Sequence, residues 1–233
     1  MPGDVLYSWK LFLDELEQKH GHRNAMLIMH TDPKDPEGPD LLAVAAELKL
    51  QNHVWFSTDK LDYGHMNVLH NLVDTVVNIS RNEGWGLSTH ISMQVGKPII
   101  ALATGGETFQ VIDELDGSEH GVALKPCKRS LVGSQMVPFI FEDFPSTEET
   151  VQAFMKIYEM TEEEKDAMRE KTVKFVDREL NYENVIKKWD ETLEKCILDF
   201  KEKKSKNEGS YKLTDIDAIL EATYQLNKNI SGK

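Results

Sequence analysis

Ser80-Arg81-Asn82-Glu83-Gly84-Trp85-Gly86-Leu87 opens the stretch that decides the fold, and the same stretch continues through Gly96-Lys97-Pro98-Ile99-Ile100-Ala101 to Thr104-Gly105-Gly106 and Ile112. Its order reads as strand end, glycine turn, helix to Val95, turn, buried strand and second glycine turn. Glycines at 84 and 86 let a backbone pass close to a ligand, and a helix starting beside them presents unpaired N–H groups and a positive dipole end. That arrangement suits a phosphate. Taken alone, Glu-Gly-aromatic-Gly is also what a tight strand-to-helix turn looks like.

Apolar runs flank this stretch on both sides. Ala25–Met29, Val54–Phe56, Thr75–Ile79, Ile99–Ala103 and Gly121–Leu124 read as strands, and helical segments near 40–50, 64–72, 87–95 and 109–115 separate them. Continuous apolar strands alternating with helices imply a parallel sheet covered on both faces, an α/β fold of Rossmann-like type. Right-handed crossovers then bring every strand-to-helix loop to one edge, where such folds bind ligands. The loops are Thr31–Pro39, Ser57–Tyr63, Ser80–Gly86 and Thr104–Glu107.

The series Glu83-Gly84-Trp85-Gly86-Leu87, then Gly96-Lys97-Pro98-Ile99-Ile100-Ala101, then Gly105-Gly106 resembles the donor-sugar signature of family 4 glycosyltransferases of the GT-B fold. The resemblance covers roughly residues 1–199, and Leu131–Gln135 with Pro138–Asp143 is most similar to bacteriophage members. It implies a donor-binding half that transfers a sugar from a nucleotide diphosphate, retaining and without a metal or other cofactor. On that resemblance Glu83 is the catalytic residue, an acidic side chain that contacts the transferred sugar, and the amides of Gly84, Trp85, Gly86 and Leu87 hold the diphosphate. Asn82, Ser80, Gly105 and Gly106 complete the donor site, with Thr31, Ser57 and Thr58 as nucleotide contacts at the ends of the first two strands. Each has a plainer reading: Glu83 as a first-turn acid, the serines and threonines as turn closers, Gly105-Gly106 as a simple turn, and Trp85 as packing.

One element departs from the family. Its second glutamate would fall at 91, where this chain has Ile91. A carboxylate accepts hydrogen bonds from a ribose diol and isoleucine does not. Leu87, Ile91 and Val95 fall at helical spacing, which predicts a core-facing stripe. The family's opening strand, its Arg/Lys pair for the diphosphate and its acceptor domain have no counterpart in the sequence. The acceptor domain is therefore expected on a separate domain or chain, and the alternative to an enzyme is a non-catalytic nucleotide-sugar- or partner-binding subunit.

Composition sets outer bounds. The chain has 233 residues, 40% hydrophobic, enough for a real core, and a net charge of −13 that does not suggest a nucleic-acid surface. No apolar run spans a bilayer and no signal peptide opens the sequence, which predicts a cytoplasmic protein, in the host cytoplasm if phage-encoded. Cys127 and Cys196 stand far apart without a Cys-x-x-Cys, and the eight histidines form no ligand pair on a helix. No metal site is expected.

The two ends of the sequence carry helices. Val5, Leu6, Trp9, Phe12, Leu13 and Leu16 mark an opening helix with Asp4 as its N-cap. After Leu124 the alternation stops. Pro126-Cys127-Lys128-Arg129 reads as a basic turn, solvated or touching a donor phosphate. Ser146 with Glu149 and Thr161 with Glu164 predict capping boxes, and Asn181–Phe200 a further helix with Val185, Ile186, Trp189, Leu193 and Ile197 on one face. That face either covers the sheet or stays open. Residues 1–199 are expected as the donor-binding domain and 200–233 as a charged linker with a short amphipathic tail, in which Asp215-Ile216-Asp217 starts a helix rather than binding metal.

Overall fold

A computed structural model of the chain describes residues 2–205. The elements run α1 (Pro2–His20), β1 (Leu27–His30), α2 (Leu41–Glu47), β2 (Val54–Ser57), α3 (Tyr63–Leu72), β3 (Val76–Asn78), α4 (Leu87–Gln94), β4 (Ile99–Leu102), α5 (Gly106–Val111) and β5 (Gly121–Leu124). They continue with β6 (Lys128–Val132), β7 (Ile140–Phe144), α6 (Thr147–Tyr158), α7 (Glu162–Phe175), a π-helical turn (Val176–Leu180) and α8 (Tyr182–Ser205). All five strands expected from the apolar runs form, and all pairings among them are parallel.

Those strands make two ladders. β1 pairs with β2, and β3, β4 and β5 pair in that order, so no hydrogen-bonded pairing joins β1 to β3. β4 is the innermost, with all four residues buried. α1 lays Leu6, Phe12, Leu13 and Leu16 fully into the core, against the Phe154 face of α6. The Trp9 ring meets Phe154 edge-on at 5.3 Å, and its indole N–H donates to the His53 carbonyl at 3.0 Å. Burying a side chain of this size contributes about 1.5–3 kcal/mol, so this helix is a main anchor of the sheet's cover.

Capping follows the residues at the helix starts. Asp40 and Asp62 accept from the amides of Ala43 and His65, and Thr161 with Glu164 completes the reciprocal capping box of α7. At α6 only half of the expected box forms. Ser146 accepts from the Glu149 amide, but its hydroxyl turns to Glu148 at 2.9 Å, leaving Glu149 out of the exchange. Asp4 is not an N-cap either: α1 already includes Pro2, which places Asp4 inside the first turn, where its charge favours the helix dipole.

The basic turn expected at 126–129 is a strand. Lys128 and Arg129 open β6, which pairs antiparallel with β7 from Lys128↔Phe144 to Val132↔Ile140. Most side chains of this hairpin are exposed, which erased any apolar pattern, and a buried Asp143 ties it down instead. Arg129 grips Asp143 with two bonds, at 2.7 and 2.9 Å, and Thr104 donates to the same carboxylate at 2.8 Å. The guanidinium is paired with Asp143 while the Arg129 side chain itself stays exposed.

The chain divides into two compact units at Arg178/Glu179. α8 runs from Tyr182 to Ser205, so residues 201–205, the start of the charged run, are helical. The described part of the second unit is essentially α8, with its apolar residues at helical spacing and a Lys188–Glu179 ion pair at 3.1 Å at its start. Asp215-Ile216-Asp217 and the amphipathic tail lie outside the described residues. Among the described residues no helix is long and apolar enough to cross a membrane.

Candidate functional site

The two glycine turns that the sequence separates by about twenty residues are in direct contact. The Gly106 amide donates to the Glu83 carbonyl at 3.0 Å. A Cβ at Gly105 would stand 2.0 Å from Glu83 O, and one at Gly106 would stand 2.5 Å from Gly84 O. Gly105 also has φ +51°, so only glycine fits the approach at that position. Gly105 and Gly106 thus serve the loop carrying Glu83, positioning it from behind.

Gly86 is the N-cap of α4, in a left-handed conformation with φ +83°. Among the described residues no acceptor within the chain takes the amides of Leu87, Ser88 or Thr89, the first turn of α4. Trp85 packs, as its plainer reading had it, with its ring 5.9 Å from both His90 and Phe109. Asn82 and Gly84 are exposed on the loop and the Glu83 side chain is half-buried. Gly84 is unlike its neighbours: a Cβ there would meet nothing within 4 Å.

The expected Leu87–Ile91–Val95 core stripe is not the buried face of α4. Leu87 is 70% exposed and Ile91 and Val95 are half-buried, while Thr89, Ser92 and Met93 point inward. Two buried hydroxyls on a helix are tolerable because each bonds back to the preceding turn, Thr89 to Gly86 O at 2.7 Å and Ser92 to Ser88 O at 2.8 Å. Polar partners waiting on neighbouring elements then decide the rotation. His70 meets Ser92 at 2.7 Å and Glu107 meets Thr89 at 2.9 Å.

Glu107 is the residue that sequence reasoning passed over, having counted it only as the end of a loop. It is 1% exposed, directly under Gly86, where a Cβ would stand 1.9 Å from its Oε1. Asn78 of β3 donates to Oε1 at 2.6 Å, while Oε2 is buried without a partner. Burial pushes the carboxyl up to about 7, against the hydrogen bonds from Thr89 and Asn78, and the nearby Glu83 charge adds to the rise. Thr89 has a single hydroxyl proton facing two acceptors, Gly86 O and Glu107 Oε1. Both contacts are satisfied when the carboxyl carries its own proton. The only signal in the sequence was an acid directly after Gly-Gly.

The remaining expected contacts are scattered. Ser80 donates its amide to Asn78 Oδ1 at 3.0 Å, which links it to Glu107 through one side chain. The loop is clamped from its far side by Arg81, which donates to Glu142 at 3.1 Å and lies 4.2 Å over the Phe144 ring. Thr31 lines a cavity of about 1060 Å³ that Asn78 and Ser88 also reach. Ser57 is buried and bonded to His30 at 3.0 Å, and Thr58 is exposed. Neither is brought to the glycine loop by a hydrogen bond. Among the described residues no group of three or more His, Cys, Asp or Glu side chains is placed to hold a metal ion.

No protein-family model matches the sequence, and no curated protein matches it either. Solved structures do match the fold. Over 84% of its length the chain is similar, at 18% identity and a TM-score of 0.60, to sucrose-phosphate synthase from Thermosynechococcus elongatus, of which it spans 42%. The C-terminal domain of a glycosyl transferase group 1 family protein from Francisella tularensis matches over 77% of this chain and 79% of that one, at 13% identity and a TM-score of 0.55. HepE from Anabaena, solved with UDP-glucose, matches over 79% of this chain and 53% of its own, at 16% identity and a TM-score of 0.52. The chain thus spans about half the length, or less, of the longer proteins and most of the separately solved C-terminal domain. Its fold is that of one half of a GT-B glycosyltransferase.

Proposed function

We propose that this chain is the nucleotide-sugar-binding half of a family 4 glycosyltransferase, most similar to phage members, and that the diphosphate of the donor sits at the mouth of α4. The observation that carries this reading is the first turn of α4, whose three amides have no acceptor in the described chain, beside a glycine at 84 that no internal contact requires. Helix N-terminal amides hold phosphate, and a glycine with open space around it suits a ligand that approaches the backbone. The UDP-glucose bound by HepE, similar in fold at 16% identity, supports the same class of ligand.

In the reaction, the bond from the anomeric carbon to the β-phosphate oxygen breaks and its electron pair leaves on the phosphate. The acceptor hydroxyl oxygen forms the new bond at that carbon and gives up its proton. Charge develops on the leaving phosphate, where the amides of Gly84 to Leu87 stabilise it without a metal. Glu83 supports the sugar as it gains positive character. Asn82, Ser80, Gly105 and Gly106 shape the loop, and Thr31, Ser57 and Thr58, at the ends of the first two strands, are assigned to nucleotide contact by their position alone. The family's stereochemical outcome is retention. The acceptor is held by a separate domain or chain, so the 233-residue chain binds donor weakly and transfers little unaided. The setting is cytoplasmic.

Calorimetric titration with UDP-, GDP- and ADP-glucose tests the reading. Heat is expected with at least one donor, reduced in Glu83→Ala and abolished in Gly86→Val; equal heats in all three proteins overturn it. Ile91, in place of a ribose-binding carboxylate, favours a second reading as a non-catalytic subunit. A stable complex with an acceptor-domain chain, in which donor turnover stays absent, supports that version.

A further inference from the structure

Glu142, Asp143 and Phe144, the last three residues of β7, all touch the loop that carries Glu83. Arg81 donates to the Glu142 carboxylate at 3.1 Å and lays its guanidinium 4.2 Å over the Phe144 ring. Between those two contacts the Asp143 amide donates to the Arg81 carbonyl at 2.9 Å. The same residue reaches the other glycine turn through its side chain, whose Oδ2 accepts from the Thr104 hydroxyl at 2.8 Å. Arg81 stands two residues before Glu83, and Thr104 directly before Gly105.

A strand residue is suited to holding two loops at once. In an extended chain the N–H lies in the plane of the sheet and the side chain stands out of that plane, so each can take a different neighbour. The Asp143 amide is spent on Arg81, away from β6, which makes Asp143 and Arg129 a cross-strand pair of the kind whose side chains come closest. Arg129 then fixes the plane of the carboxylate with two bonds, Nε to Oδ1 at 2.7 Å and Nη2 to Oδ2 at 2.9 Å, and Oδ2 is held toward Thr104. Asp143 is 4% exposed, so water competes little for these bonds.

The contacts close into a ring. From Asp143 the path runs through Arg81 to Glu83, across the 3.0 Å bond from the Gly106 amide to Glu83 O, through Gly105 to Thr104, and back to Asp143. Two loops that leave different strands, β3 and β4, are thereby tied together by one residue of a third element. We propose that Asp143 is a positioning residue of the donor site. Resting on the reading of the α4 mouth given above, it acts through Arg81 on one side and Thr104 on the other to set where Glu83 and the Gly84 amide stand. The β6–β7 hairpin, mostly exposed and without an apolar core of its own, serves to deliver that residue.

Asp143→Ala would cut the whole ring and endanger the fold, so the test uses milder variants of the 233-residue chain. Thr104→Val removes the hydroxyl that bonds Asp143 and keeps the side-chain shape, while Thr104→Ser keeps the hydroxyl. Thr172→Val makes the same deletion at a buried threonine of α7 that bonds only its own helix, to Met168 O at 2.8 Å. Amide hydrogen exchange is read without donor, and calorimetry with UDP-glucose. In Thr104→Val the Gly106 amide is expected to exchange about tenfold faster than in the parent, with Ile100 and Leu102 of β4 unchanged, and UDP-glucose affinity to fall about tenfold. Thr104→Ser returns both to within about twofold of the parent, and Thr172→Val alters neither, whatever it does to the melting temperature. Gly106 as protected in Thr104→Val as in the parent overturns the proposal, as does an equal loss of affinity in Thr172→Val, which would mark a general effect of stability. A parent that binds no donor while Gly106 responds as expected supports the coupling of the two loops and overturns the donor reading instead.

Discussion

The Glu107 carboxylate lies against the backbone of Gly86, so close that a Cβ at position 86 would stand 1.9 Å from Glu107 Oε1. The N-cap of α4 and the buried acid beneath it therefore form one unit, with Asn78 and Thr89 as its hydrogen-bonding frame. Changing either partner changes the mouth of the helix.

Glu107 makes the stability depend on pH in a direction unusual for a carboxylate. Its folded pKa, about 7, lies above the ordinary 4.5, so between these values the unfolded chain has lost a proton that the folded chain keeps. Stability from this group is full below about 4.5 and is lost as pH rises to about 7, by up to about 3 kcal/mol. Buried His70 and His120 and half-buried His90, all with pKa lowered by desolvation, pull the other way below their ordinary 6.5. Comparing Glu107→Gln with the parent by urea unfolding isolates the acid. The variant is expected to gain on the parent from pH 5 to about pH 7 and to level off above it, and a constant difference would contradict the assignment.

Donor binding should carry the same signature. A diphosphate at the mouth of α4 favours the protonated acid, so affinity for UDP-glucose, whose diphosphate does not titrate near neutrality, falls as pH rises through about 7. In Glu107→Gln the affinity stays flat over pH 6–8. Calorimetry at three pH values separates the two.

The glycines of the two turns divide by role. Gly105→Ala meets Glu83 O at 2.0 Å from a left-handed φ, and should cost roughly 2–4 kcal/mol in chemical denaturation. Gly84→Ala meets nothing within the chain, so stability should change by less than about 0.5 kcal/mol while UDP-glucose affinity drops. Loss of stability in Gly84→Ala would remove the argument for close ligand approach.

Asp143 fastens the β6–β7 hairpin to the Thr104 loop. Arg129 and Thr104 hold its carboxyl below the usual carboxylate range despite its burial. Its contribution is present above the ordinary 3.8 and is lost as pH falls through the lowered value. Asp143→Asn should melt earlier than the parent at pH 7, with the gap narrowing below pH 4. An undiminished gap at pH 3 would speak against the ion pair.

Ile91→Glu restores a carboxylate where the resembling family has one. If the donor lies as proposed, UDP-glucose binds roughly tenfold more tightly, about 1.4 kcal/mol, and calorimetry reads the change. The half-buried position of Ile91 keeps the cost to the fold small.

Local chemistry in the chain was sufficient to determine the alternation of strands and helices, the caps at Asp40 and Thr161, and the turn at Gly84–Gly86, because apolar period, capping side chains and glycine act within a few residues. It did not determine which face of α4 turns inward. Leu87, Ile91 and Val95 keep the helical period, yet Thr89 and Ser92 are buried because Glu107 and His70, on other elements, supply partners. The β6–β7 hairpin was hidden for a related reason: its anchor is one buried aspartate paired across the fold, not an apolar stripe. Tertiary structure alone decided that the glycines at 105 and 106 press on the Glu83 loop and that Glu107 is buried beneath Gly86. Each depends on groups far apart in the chain meeting at contact distance, where burial sets a proton's affinity and the absence of a Cβ allows two backbones to touch.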